Sequence, residues 1–140
     1  MRPLLIMILL AISSSLISCG ATMETTTNEA GQQVVICEIP NDLSNENAKP
    51  KKKVSRDDVQ SAMRELEDDV KICGSFGAWR SKGNTVTVKY VVEPEGYVSS
   101  AAAVYGYTNT KLGRCAASKI CSARFPVAEN MVTITYPFRL

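Results

Sequence analysis

The sequence predicts an α+β domain: an antiparallel three-stranded sheet with two helices packed on one face, preceded by an N-terminal arm. Three observations lead there. Two segments repeat apolar residues at helical spacing, Val59, Met63, Leu66, Val70 and Cys73 in the first and Leu112, Cys115, Ala116 and Ile120 in the second. Three further segments have strand character, residues 84–92, 97–105 and 132–138. Their order is helix, strand, strand, helix, strand. With 140 residues, there is room for one modest domain.

The chain opens with Met1-Arg2, a short positive start, followed by uncharged and mostly apolar residues 3–17. That run is shorter than the roughly twenty residues a membrane span needs and suits the apolar region of a secretory signal. It ends in Leu16-Ile17-Ser18-Cys19-Gly20, which resembles the lipobox of bacterial lipoproteins. The resemblance implies a signal peptide over residues 1–18, lipid attachment at Cys19, and, with uncharged Gly20 next, sorting to the outer membrane. Residues 19–33, rich in Thr, Asn and Gln and without periodicity, read as a flexible tether. Residues 34–53 read as an arm. It holds a short β-prone run, Val34 to Ile39 ended by Pro40, expected either as an extra edge strand or lying on the domain. Its basic end, Lys49-Pro50-Lys51-Lys52-Lys53, reads as a solvated linker within reach of anionic head groups.

The folded domain is expected over residues 54–140. Ser55 with Asp58 three residues on forms a capping-box-like start to the first helix, and Gly74 is expected to stop it as a left-handed cap. Phe76 and Trp79 in the following loop are expected to cover the core edge. Val86, Val88, Tyr90 and Val92 alternate with Thr85, Thr87 and Lys89, so one face is buried and one is wet. Glu93-Pro94-Glu95-Gly96 reads as a tight turn. Small residues 99–103 on the next strand allow a helix to pack close. The second helix is expected to start within Thr108 to Thr110 and to run until Phe125-Pro126, because the residue before proline avoids helical backbone. Val132, Ile134, Tyr136 and Phe138 form the apolar face of the last strand, and Pro137, lacking an N–H, assigns it to a sheet edge.

Exported cysteines default to disulfides, and Cys37, Cys73, Cys115 and Cys121 allow three pairings. Cys73 and Cys115 lie on the buried stripes of two helices that share one sheet face, which pairs them. Cys115 and Cys121 face different directions around one helix, so Cys121 is left to Cys37.

An amphipathic helix ending in Cys73, then Gly83, a turn with Pro94 and Gly96, Val98, Arg114-Cys115, Ile120, Phe125-Pro126 and Tyr136-Pro137-Phe138 resembles the AgmX/PglI C-terminal domain family, relatives of the TonB C-terminal domain. The likeness covers about residues 55–140. Gly74 departs from the tyrosine that commonly follows the first family cysteine, and Cys37 and Cys121 stand as additions. The resemblance implies a TonB-like fold, no catalysis and no cofactor. It also implies a protein partner in the envelope, taken by strand addition at a sheet edge, here Val132, Thr133, Ile134, Thr135 and Tyr136.

Composition narrows the alternatives. There is no histidine, which removes the commonest general base and metal ligand, and a net charge of +2 is too mild for a nucleic-acid binder. An envelope-polymer enzyme would have to use Glu93, Glu95 or the carboxylates Glu65, Glu67, Asp68 and Asp69 of the first helix. A periplasmic thiol-redox protein would use the cysteines, although no C-x-x-C is present. From Val70 onward nine Lys/Arg face three Glu, an excess that suits an acidic partner or lipid surface.

Overall fold

The structure is a computed structural model that describes residues 23–43, 49–75 and 84–140. Cys19, Phe76, Trp79, Gly83 and the signal-like segment lie outside the described residues. The elements are β1 (Glu24–Thr27), β2 (Gln33–Ile36), α1 (Arg56–Ser75), β3 (Thr85–Val92), β4 (Val98–Val104), a 3₁₀ turn at Tyr105–Tyr107, α2 (Lys111–Ile120) and β5 (Val132–Arg139). One sheet holds all five strands in the order β1-β2-β4-β3-β5, each neighbouring pair antiparallel. Both helices contribute buried stripes to a single core with the sheet.

The α+β class agrees with expectation, but the sheet has five strands rather than three. Residues 24–33 do not form a tether, and the β-prone run of the arm is an inner strand. β1 and β2 close a hairpin through a turn in which the Asn28 side-chain oxygen accepts from the backbone N–H groups of Ala30 (3.1 Å) and Gln32 (2.9 Å). All four β1 residues are exposed, so the strand leaves no apolar signature; its Thr25-Thr26-Thr27 is β-branched and pairs by backbone alone. β2 places Val35 in the core and pairs with β4.

α1 begins as its sequence suggests. The Asp58 carboxylate accepts from the Ser55 backbone N–H (2.9 Å) and hydroxyl (2.7 Å), while Ser55 Oγ accepts from the Asp58 N–H (3.2 Å). Lys51 Nζ donates to the same carboxylate at 2.7 Å. These bonds, that from Lys51 first, hold the Asp58 carboxyl at about 2, below its ordinary 3.8. The stabilisation is therefore complete above about pH 4 and is lost as pH falls towards 2. Urea midpoints across that window should fall less steeply in Asp58→Asn than in the native chain.

Gly74 is not a cap. It lies inside α1 with ordinary helical backbone, and a Cβ there would meet the Leu140 side chain at 3.3 Å. Its smallness makes room for the C-terminal residue, whose N–H donates to the Asn84 carbonyl at 2.8 Å.

α2 is capped by Thr110, whose hydroxyl accepts from the Gly113 N–H at 3.0 Å. A Cβ on Gly113 would overlap the Tyr107 carbonyl oxygen and stand 2.7 Å from Ala103 Cβ. Here the small residues of β4 admit the helix. The helix ends at Ile120, earlier than the Phe125 expected from Pro126 alone. Residues beyond it are drawn away to the sheet end: Phe125 N–H donates to the Gly96 carbonyl (2.8 Å) and Arg124 pairs with Tyr97.

That detour delivers the Phe125 ring to Tyr90, centroids 6.0 Å apart. Tyr90 and Phe138 are the largest fully buried side chains. The Tyr90 hydroxyl is buried without a hydrogen-bond partner, and burial raises its pKa. Removing an unsatisfied buried hydroxyl releases its desolvation cost. Tyr90→Phe should leave the unfolding free energy unchanged or raise it by up to about 1 kcal/mol in denaturant titration.

Candidate functional site

Two features stand out when the residues singled out in the sequence are placed on the fold: a stapled N-terminal hairpin and an open sheet edge. The first rests on the cysteines. Cys37 is bonded to Cys121, just past α2, and Cys73 near the end of α1 is bonded to Cys115 on α2. Cys37, Cys73 and Cys121 are buried and Cys115 is half-buried. One bridge joins the two helices and the other joins the hairpin to the helix layer.

The hairpin is held by more than its bridge. The Asn109 side chain acts as a short stretch of strand: its amide donates to the Gly31 carbonyl (2.8 Å) and its oxygen accepts from the Gln33 N–H (2.7 Å). Arg114 donates to the Gln33 side chain (2.8 Å), and Gln32 donates to the Ala103 carbonyl (2.8 Å). Asn109 has φ of 61°, a left-handed backbone that asparagine tolerates better than most residues. From the sequence, Arg114 stands out only as part of the Arg114-Cys115 pair, and Gln32, Gln33 and Asn109 not at all as contacts of the hairpin. The only advance signal is that Asn109 lies in a polar turn just before a helix, where such conformations are common.

β5 supplies the edge. It pairs with β3 along its whole length, from Thr85 with Arg139 to Val92 with Val132, and no described strand lies on its other side. Thr133 and Thr135 are exposed, whereas Val132, Ile134 and Tyr136 are half-buried against the core. Proline and a basic residue blunt the far end, at Pro137 and Arg139, leaving residues 132–136 as the open run. The opposite edge, β1, has four residues.

The acidic candidates do not form a constellation. Glu93 and Glu95 flank Pro94 in the β3–β4 turn, while Glu65, Glu67, Asp68 and Asp69 lie along α1. Lys71 reaches Asp68 (3.4 Å) and Glu67 (3.9 Å). Among the described residues no group of three or more His, Cys, Asp or Glu is placed to hold a metal ion, and no helix is long and apolar enough to cross a membrane. A shallow cleft of about 150 Å³ on the open sheet face is lined by Asn28, Gln32, Lys89 and Ser100, with Lys89 its single charged side chain. No family model, curated protein or solved structure matches the chain.

Proposed function

We propose that this chain is a non-catalytic interaction module of the bacterial envelope, anchored to the outer membrane through lipid on Cys19 and facing the periplasm, and that it binds a protein partner by accepting a strand on β5. The observation that carries the reading is the position of β5 at the sheet edge. A partner strand there would gain backbone hydrogen bonds along residues 132–136, while pockets between alternate side chains would set its sequence preference. The lipobox-like Leu16-Ile17-Ser18-Cys19 and the AgmX/PglI-like pattern support the setting. Two disulfides suit an oxidising compartment.

Photo-crosslinking in living cells tests the edge. A photoreactive residue at Thr133 or Thr135 should give an adduct with one defined protein. The same probe at Lys89, exposed on central β3, should give none. Adducts from β1 and not β5 would move the binding edge. Their absence from every described position, across growth conditions, would remove the interaction reading.

A further inference from the structure

We propose that one end of the sheet is seated on the bilayer, with Met23, Ile36, Ile39 and Met131 at the boundary of head groups and acyl chains and the Tyr105–Asn109 loop pointing away. The inference rests on the lipid anchor at Cys19 proposed above.

The strand register defines that end. Glu24, Ile36, Ser100, Val91 and Thr133 form one continuous row across all five strands. Just beyond the row lie Met23 on one side of the sheet and Met131 on the other, with Ile39 three residues past Ile36 between them in sequence order. Met23 is 43 % exposed, Ile36 38 %, Ile39 64 % and Met131 61 %. Four of the seven large apolar side chains exposed among the described residues thus collect at one end. Such exposed side chains fit an interfacial lipid contact.

The covalent chain brings this end to the membrane. Between Cys19 and Met23 stand three residues, so Met23 lies at most about 14 Å from the lipidated cysteine. Because residues 24–36 are built into the sheet and stapled by Cys37–Cys121, holding Met23 holds the whole domain. Tyr105 is five residues along β4 from the Ser100 row, about 17 Å towards the opposite end. Lying flat on the β1 edge is disfavoured, since its Glu24, Thr25, Thr26 and Thr27 are polar and exposed.

Charge does not set the orientation. Lys51 is tied to this end, its N–H donating to the Val127 carbonyl while the Ala128 N–H donates to the Pro94 carbonyl. Its neighbours Lys49, Lys52 and Lys53 are exposed, and Glu24, Glu38, Glu93 and Glu95 stand at the same end. The two signs offset one another, so the seating needs no anionic lipid.

The test uses the mature protein purified from membranes, first checked by mass spectrometry for acyl chains on Cys19, then placed in zwitterionic phosphatidylcholine nanodiscs carrying a gadolinium-headgroup lipid. Amide signals of Ile36, Glu38, Ile39, Gly96 and Met131 should be lost while those of Tyr105, Gly106 and Asn109 persist. Ile39→Glu with Met131→Glu, at exposed positions whose fold the same spectra check, should restore much of the signal at positions 39, 96 and 131, while the anchor keeps the residues next to Met23 broadened. Equal losses at both ends, loss at Tyr105 first, or an unchanged pattern in the double variant would overturn the seating while leaving the anchor in place. A Cys19 without acyl chains would overturn the anchor and the seating together.

Discussion

Replacing Cys37 and Cys121 by alanine is expected to lower the unfolding free energy by about 4 kcal/mol, and replacing Cys73 and Cys115 by slightly less. The near-equality is not obvious, because the bridges close loops of 84 and 42 residues. The smaller loop, however, lies wholly inside the larger. With Cys73 and Cys115 joined, the unfolded chain between Cys37 and Cys121 is already short-circuited to about 42 residues, so losing Cys37–Cys121 removes the restraint of a 42-residue loop, while losing Cys73–Cys115 leaves the 84-residue loop closed and costs about 0.6 kcal/mol less. Guanidinium unfolding of the two double variants should give midpoints close together and well below the native one. Hydrogen exchange should separate them. Without Cys37–Cys121, amides of β1 and β2 should exchange faster than those of β3 and β5. Without Cys73–Cys115, the accelerated amides should be those of the two helices.

Gly96→Ala is expected to cost at least about 3 kcal/mol, because two penalties act on one residue. Gly96 has φ of 89°, a left-handed backbone that residues with a Cβ avoid, and it closes the three-residue turn between β3 and β4. A Cβ would also overlap the Phe125 carbonyl oxygen. Backbone cannot swing aside as a flexible side chain can. Shifting it would break the Phe125 N–H bond to Gly96 and move the Phe125 ring from Tyr90, so a surface turn would disturb the core. Thermal unfolding and near-ultraviolet circular dichroism check both effects: a lower transition temperature with a changed aromatic signal is expected. An unaltered aromatic spectrum would show that the turn and the core are not coupled in this way.

The shape of the domain has a bearing on how it would meet partners. β5 lies at one side of the sheet, and Met23, Ile36 and Met131 lie at one end, so a strand added at β5 would run between the end proposed to meet the membrane and the Tyr105 end. Tyr105 itself is 78 % exposed with φ of 61°, a conformation costly for a tyrosine. Among the described residues, its side chain makes no hydrogen bond and no ring contact.

Much of this architecture is visible in the order of residues. Val59, Met63, Leu66, Val70 and Cys73 can form one stripe only as a helix, and Val86, Val88, Tyr90 and Val92 can share one face only as a strand, since each period is fixed by backbone geometry. The capping pair Ser55 and Asp58 is local, closed over three residues, and therefore legible, whereas the start of α2 is legible only to within Thr108 to Thr110 and the structure puts the cap at Thr110. The same geometry, applied to helix faces, selects the cysteine pairs that the structure joins. Pro137 marked β5 as an edge through its missing donor.

What only the tertiary structure decided is whatever depends on partners far along the chain. β1 has no buried face, so nothing in its composition separates it from a tether; it is a strand because β2, itself fixed by Cys121, Ser99 and Asn109, offers it a backbone edge. α2 stops at Ile120 because Phe125 is needed beside Gly96 and Tyr90, and Gly74 is small because Leu140 returns to lie on it. Periodicity and capping act over a few residues and are written in the sequence. Edge pairing, close approach and the burial of Tyr90 arise when segments far apart in sequence compete for the same space, and those outcomes exist only once the chain is folded.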